Sequence, residues 1–165
     1  MTNPRSTASI AGHPIHPMLV AFPIAFFVAT LACDITFWRT GDAYWATTAQ
    51  WVLGAGLVMA GLAAVAGAID VLGEPRIRAL RDVWWHAGGN VLMVLIQVVS
   101  WYLRFTEGPA AIVPTGLILS VVAVGIMLFT GTMARFATLA SFSQVQASID
   151  QWVVDFWSRL TGQGV

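Results

Sequence analysis

The sequence has few charged residues, and this shortage excludes most classes of soluble protein. Charged side chains make up 10% of the 165 residues, against about 25% in a typical soluble domain. All eight basic residues are arginine, and the formal net charge is zero. A neutral chain offers no electrostatic basis for binding nucleic acid, so no such partner is expected. The composition instead predicts a chain that resides in membrane lipid.

Cysteine and recognisable nucleophile motifs are also scarce. The chain has a single cysteine, Cys33, so an internal disulfide is excluded. No serine–histidine–aspartate arrangement and no phosphate-binding loop is evident, because most of the glycines fall within apolar stretches. An enzyme that works through covalent chemistry is therefore not expected.

Long apolar stretches are what the sequence does contain. Four of them reach the length of about 20 residues that a helix needs to cross a bilayer. The connections between them are short and combine charge with glycine or proline, which favours antiparallel neighbours. The sequence thus predicts an all-α integral membrane protein, with four transmembrane helices in an up-down bundle over residues 17–135. The predicted spans are Pro17–Trp38, Tyr44–Leu72, Val83–Leu103 and Ala111–Ala134.

The two ends of the chain differ from this central domain. Residues 1–16 form an N-terminal arm that carries two His-Pro pairs. Residues 143–161 place their apolar side chains at helical spacing but are interrupted by polar ones. This pattern predicts a C-terminal amphipathic helix that lies in the membrane interface.

The arginines predict the orientation in the membrane, since cytoplasmic segments carry an excess of positive charge. Six arginines fall in the arm, the second loop and the tail, and two fall on the other side. We therefore expect a multi-pass protein with both termini in the cytoplasm and with membrane lipid as its first partner. The six are Arg5, Arg76, Arg78, Arg81, Arg135 and Arg159, and the two are Arg39 and Arg104.

This topology gathers the histidines at the cytoplasmic face. His13 and His16 precede the first helix, and His86 lies at the start of the third. Asp70 lies in the last turns of the second helix, on the same side. Three imidazoles and a carboxylate suit zinc, copper or iron, so these four residues are a candidate metal site.

The His-Pro pairs suggest a local geometry for this site. Pro14 and Pro17 disfavour helical backbone in His13 and His16, which favours an extended conformation near polyproline II. That form has about three residues per turn, so the two imidazoles would point the same way. Pro17 can then take the first position of the helix.

The third predicted helix carries a stripe of polar side chains. His86, Asn90, Met93, Gln97 and Ser100 are separated by four, three, four and three residues, which places them on one face. Polar groups are costly in hydrocarbon, so this face should point into the bundle. The stripe could line a cofactor or a proton path, or it could bond to neighbouring helices.

Two further interpretations compete with the metal site. A b-type haem could lie between the first and third helices, with His86 as one axial ligand and His13 or His16 as the other. Asn90 would line that site, and arginines of the second loop would meet the propionates. These are Arg76, Arg78 and Arg81. Alternatively, the chain is a structural membrane subunit or scaffold, and its histidines only cap helix ends and pack.

Asp34 lies near the opposite end of the first helix. We expect it to pair with Arg39, five residues further on, or to cap a polar cluster there. No functional site is predicted from it.

The stretch "GHPIHPMLVAFPIAFFVATLACD" resembles the N-terminal signature of a bacterial membrane-protein family, domain of unknown function 2231. The signature combines G-H-P-x-H-P with an apolar run that contains F-P-I and then an aspartate. The matching residues are Gly12, His13, Pro14, His16, Pro17, Phe22, Pro23, Ile24 and Asp34. Further similarities are "GAIDVLGEP", with Asp70, and "WWHAGGN", with His86 and Asn90. The resemblance covers about residues 8 to 130.

The resemblance implies a four-helix protein of the bacterial inner membrane with no assigned activity. Some relatives are joined to iron–sulfur or cytochrome-like modules, which favours a redox or electron-transfer accessory with redox or membrane-complex partners. A homo-oligomer is also compatible with it. Members often carry a further histidine near the C-terminus, whereas this chain has none after His86. If that histidine is a ligand in the family, it is lost or replaced here.

Overall fold

The computed structural model describes residues 9–10 and 13–131, with side chains from residue 15 onward. The described part begins with two short antiparallel strands, β1 (Ser9–Ile10) and β2 (His13–Pro14). The predicted amphipathic helix at residues 143–161 lies outside the described residues.

The first helix, α1 (Ile15–Thr40), starts two residues before the predicted position. His13 is in extended backbone, as the prolines predicted. His16 lies in the first turn of α1, so the prediction of extended backbone at this residue was wrong. Pro17 is tolerated in that turn because the first N–H groups of a helix have no acceptor within it.

A tight turn connects α1 to α2 (Ala43–Gly73). Gly41 has a φ of +68° and donates its N–H to the carbonyl of Phe37 at 2.8 Å, which suits a glycine at a helix end. The Asp42 carboxylate then accepts the backbone N–H of Tyr44 at 2.9 Å and caps α2. So short a connection makes α1 and α2 antiparallel neighbours.

The second connection contains a short helix where the sequence predicted only a loop. Glu74 caps this helix, α3 (Pro75–Arg78), by accepting a backbone N–H at 3.1 Å. The next helix is α4 (Arg81–Glu107). The indole N–H of Trp84 donates to the carbonyl of Arg78 at 3.0 Å, which holds α3 against the first turn of α4.

After α4 the helical path is interrupted. Gly108 has a φ of +63°, and the stretch Gly108–Gly116 forms a 3-10 turn and a π turn. Val113 is extended, with φ −117° and ψ 122°, as expected for a residue before a proline. A further helix, α5, is described over residues 117–131, so it begins later than the predicted Ala111.

Contacts between α4 and α5 show that the chain reverses direction at this interruption. Arg104, near the end of α4, is 3.4 Å from the hydroxyl of Ser120, near the start of α5. Gly89, near the start of α4, faces the side chain of Thr130 at the far end of the described α5. The two helices therefore run antiparallel.

Three described stretches are long and apolar enough to cross a membrane. The third spans 51 residues and includes the interruption between α4 and α5. The predicted bounds of the first two spans agree with the helices to within two residues at each end. The three stretches are Ile15–Thr40, Ala43–Gly73 and Arg81–Gly131.

Only a narrow apolar core is buried between these helices, and large apolar side chains cover the outside. Trp51 is 76% exposed and Phe105 68% exposed. Large apolar side chains are also exposed along the outer surface of every long helix. In water such a surface would promote association, whereas in lipid it is the ordinary exterior. The core cluster consists of Phe27, Leu53, Ala60, Met93, Ala123 and Met127.

Candidate functional site

Two groups of polar residues lie at opposite ends of the helices. The start of α1 and the start of α4 are at one end, because α1 and α2 are antiparallel and α4 begins where α2 finishes. We call this end, with His16 and His86, the histidine face. The other end holds Asp34 and Arg104.

His16 lies in the contact between α1 and α2. Its Nδ1 is 2.7 Å from the carbonyl oxygen of Ala63, and its ring occupies the space that the missing side chain of Gly67 leaves free. A carbonyl can only accept, so Nδ1 carries the proton and, in the neutral ring, Nε2 keeps its lone pair. Histidines that bind metals are commonly oriented in this way, with the other ring nitrogen donating to a backbone carbonyl.

His86 is half-buried in the second turn of α4. Its Nδ1 is buried and has no hydrogen-bond partner among the residues that the structure describes. The side-chain amide of Asn90 donates to the backbone carbonyl of His86 at 2.7 Å, within the same helix. A buried polar nitrogen without a partner is uncommon and calls for an explanation such as a bound ligand or water.

The other predicted site residues are less closely joined. Asp70 is half-buried and is engaged by a partner, while the side chain of His13 lies outside those that the structure describes. Among the described residues, no three His, Cys, Asp or Glu side chains form a group that could hold a metal ion. The arginines of the second connection are all exposed at the histidine face, namely Arg76, Arg78 and Arg81.

The polar stripe of α4 faces the interior, as predicted. Met93 is 4% exposed, and Gln97 and Ser100 are fully buried. The stripe also continues one turn further than predicted, to Arg104, which is 2% exposed. From His86 to Arg104 it covers 19 residues, or about 27 Å of helix. Polar groups thus line nearly the full length of the inner face of α4.

Arg104 forms a fully buried ion pair with Asp34. Its two terminal nitrogens donate to the two carboxylate oxygens at 2.6 and 2.7 Å, the two-point geometry in which such pairs are strongest. The hydroxyl of Ser120 donates to the same carboxylate at 2.6 Å, and Ser100 accepts from Nε of Arg104 at 3.2 Å. These four residues, the ion-pair network, connect α1, α4 and α5.

This network corrects one of the two alternatives predicted for Asp34, the pair with Arg39, and it agrees with the other, a polar cluster at this end of α1. The partner of Asp34 is Arg104, 70 residues away, and not Arg39, which is exposed at the end of α1. The third predicted span ended at Leu103, so Arg104 was placed just outside it, whereas α4 continues to Glu107. The signal that could have found it is the spacing, since Arg104 follows Ser100 by four residues and so continues the stripe.

Two further features accompany the stripe. Both side-chain amide atoms of Gln97 are buried, and neither has a partner within the described part of the chain. A cavity of about 30 Å³ lies beside Arg104, with Thr47 and Gln50 among its lining residues. A volume of this size can hold a water molecule. Such a water molecule would lie beside Arg104, at the far end of the stripe.

Comparison with known proteins identifies the family. A family described as predicted membrane protein (DUF2231) matches residues 12–138. The chain belongs to this family. No curated protein and no solved structure matches it.

Membership of the DUF2231 family and the three apolar stretches establish a multi-pass membrane protein whose exposed apolar side chains contact lipid. The match includes the histidines of the histidine face and the whole ion-pair network. It supplies no activity, so the function has to be argued from the residues themselves.

Proposed function

We propose that the chain crosses the bacterial inner membrane four times as an up-down bundle, with both termini in the cytoplasm. The reversal between α4 and α5 supports four crossings, since it makes the 51-residue stretch a helical hairpin. The excess of arginine on the histidine face supports the orientation. A reporter that is active only outside the cytoplasm should stay silent at either terminus. Activity at both termini would contradict the orientation, and activity at the C-terminus alone would contradict an even number of crossings.

Within this bundle, we propose that the histidine face binds a b-type haem and serves as an electron-transfer accessory. The observation that carries this proposal is the hydrogen bond from Nδ1 of His16 to Ala63, which leaves Nε2 available as an axial ligand. His86 would supply the second imidazole, and its buried Nδ1 has no partner among the described residues, which supports a role for this ring in holding a ligand. Haem iron is commonly held by such imidazoles.

Haem fits the described donors better than a metal ion held by side chains alone. A porphyrin supplies four of the iron ligands, so one or two imidazoles suffice. A bare ion would need three or more side chains, and it would depend on His13 and Asp70 in addition to His16 and His86. The alternative of a zinc, copper or iron site therefore ranks second, and elemental analysis of the purified protein distinguishes it.

The remaining residues of the histidine face would position the haem. Asn90 holds the backbone of His86 within α4, and the guanidinium groups of Arg76, Arg78 and Arg81 are exposed where propionates would reach the membrane surface. When bound, haem supplies one-electron chemistry. The protein side chains would fix its orientation, and the surrounding apolar residues would exclude water.

The test is an absorption spectrum of the full-length protein, produced with haem supplied and measured before and after reduction. We expect a Soret band that shifts on reduction, and its loss in His86→Ala and His16→Ala. Thr106→Ala is the matched control, because Thr106 is exposed at the opposite end of the bundle. Elution as a single species shows that each variant is folded. A wild-type protein without any Soret band would rule out the haem.

One observation favours a second candidate, a structural membrane subunit or scaffold without a cofactor. The bond between His16 and Ala63 ties the start of α1 to α2, so it serves as a helix clamp even when no ligand is present. In that case His16→Ala should destabilise the protein in detergent, and neither haem nor metal should be found in the wild type.

A further inference from the structure

The segment between α2 and α4 presents a positively charged surface at the histidine face. Arg76 and Arg78 belong to α3, Arg81 opens α4, and all three side chains are exposed. None of them forms an ion pair within the part of the chain that the structure describes. Charge that is neither paired nor buried is available to a ligand from outside the protein.

Local contacts keep these arginines together. The indole of Trp84 donates to the carbonyl of Arg78, which fastens α3 to the first turn of α4. Glu74 is occupied in capping α3, where it accepts a backbone N–H. Asp82 is the other carboxylate of this segment, and it is exposed. The segment contains three guanidinium groups and two carboxylates, so its net charge is +1.

The depth of the segment in the membrane is given by its apolar neighbours. Trp84 is 56% exposed and Trp85 66% exposed, within one turn of Arg81. Leu80, between α3 and α4, is 52% exposed. Exposed tryptophans gather at the level of the lipid headgroups, so the arginines next to them lie where headgroup phosphates are found.

We propose that this segment binds the headgroup of an anionic phospholipid. Guanidinium groups pair with phosphate oxygens through two parallel N–H bonds, and the adjacent tryptophans and Leu80 would contact the upper part of the acyl chains. Arginines near a membrane surface attract anionic lipid, and each one contributes about a fivefold change in affinity. This inference needs no haem, and it holds for the protein without a cofactor.

The experiment is native mass spectrometry of the delipidated, haem-free full-length protein with phosphatidylglycerol or phosphatidylcholine. We expect retention of phosphatidylglycerol over phosphatidylcholine. The triple variant Arg76→Gln, Arg78→Gln, Arg81→Gln should weaken phosphatidylglycerol binding by about a hundredfold if the three contributions are independent, given about fivefold for each arginine. Arg39→Gln removes one exposed arginine at the opposite end, so it is the control and should weaken binding by much less than about fivefold.

Three outcomes would overturn the proposal. Equal retention of the two lipids would show that charge plays no part. A loss of about fivefold or more in Arg39→Gln would show that any exposed arginine has the same effect. Displacement of phosphatidylglycerol by excess inorganic phosphate would show that the segment binds a free anion and not a lipid headgroup.

Discussion

Removing one partner of the Asp34–Arg104 pair leaves an unpaired charge between the helices. In Asp34→Leu, the guanidinium group of Arg104 keeps only the hydroxyls of Ser100 and Ser120, at 3.2 and 3.4 Å. In Arg104→Met, the carboxylate of Asp34 keeps only the hydroxyl of Ser120, at 2.6 Å. In both variants a charged group that is almost fully shielded from solvent loses its two-point partner.

The magnitude follows from the burial of the pair. Breaking a buried ion pair on one side costs about 3–5 kcal/mol, and an arginine in hydrocarbon costs about 2.5–3.5 kcal/mol on insertion scales. We therefore expect each single variant to lose about 3 kcal/mol. For a chain of this size that lowers the unfolding midpoint by about 6–12 °C. Asp34→Leu combined with Arg104→Met should lose less than the sum, because no charge is left unpaired.

The assay is thermal unfolding of the purified protein in detergent, followed by circular dichroism. Arg39→Met is the matched control, since Arg39 is exposed near the same end and should change the stability by less than about 0.5 kcal/mol. If Arg39→Met destabilises as much as Arg104→Met does, Asp34 is paired with its neighbour in α1 and the network described above is wrong. Fully additive single variants would also refute the pairing.

Three further changes test the packing by the same unfolding assay. Gly56→Ala would place a Cβ atom 2.7 Å from Cε1 of Phe27, so the free energy of unfolding should fall by about 1–3 kcal/mol. Gly61→Ala is the control, because its Cβ atom would meet nothing within 4 Å, and it should not destabilise the protein. Phe27→Ala removes a fully buried ring and should cost about 3–5 kcal/mol, and a smaller loss would mean that the core is loosely packed. Gln97→Leu should be neutral or stabilising, because both amide atoms lack partners. A marked loss there would show that the amide binds a ligand or water.

Features that depend on local composition could be predicted from the sequence. The apolar stretches and the glycine–aspartate turn after α1 are determined by residues that are close in sequence. The ends of α1 and α2 therefore agree with the predicted ends to within two residues. The start of α5 was placed too early because Pro114 interrupts the apolar stretch without making it polar. The preference for extended backbone before Pro17 was overridden at His16, which lies in a helical turn.

Features that depend on which helices meet could not be predicted in this way. Asp34 has an arginine five residues away, and its true partner is 70 residues away. Only the packing of α1 against α4 and α5 selects between them. The inward orientation of the α4 stripe could be predicted, because periodicity reports the face of a helix. The hydrogen bond of His16 to Ala63 could not be predicted, because it depends on how far α1 is shifted along its axis relative to α2.

The separation of Asp34 from Arg104 also has a consequence for biogenesis. Ribosomes add about 5–20 residues per second, so the carboxylate is made roughly 4–14 s before the guanidinium group that neutralises it. During that interval the first helix has to enter the membrane with an acidic group that has no partner. Stable integration of α1 should therefore be assisted by the arrival of α4, and α1 should be held less firmly in the membrane when the nascent chain is truncated before Arg104.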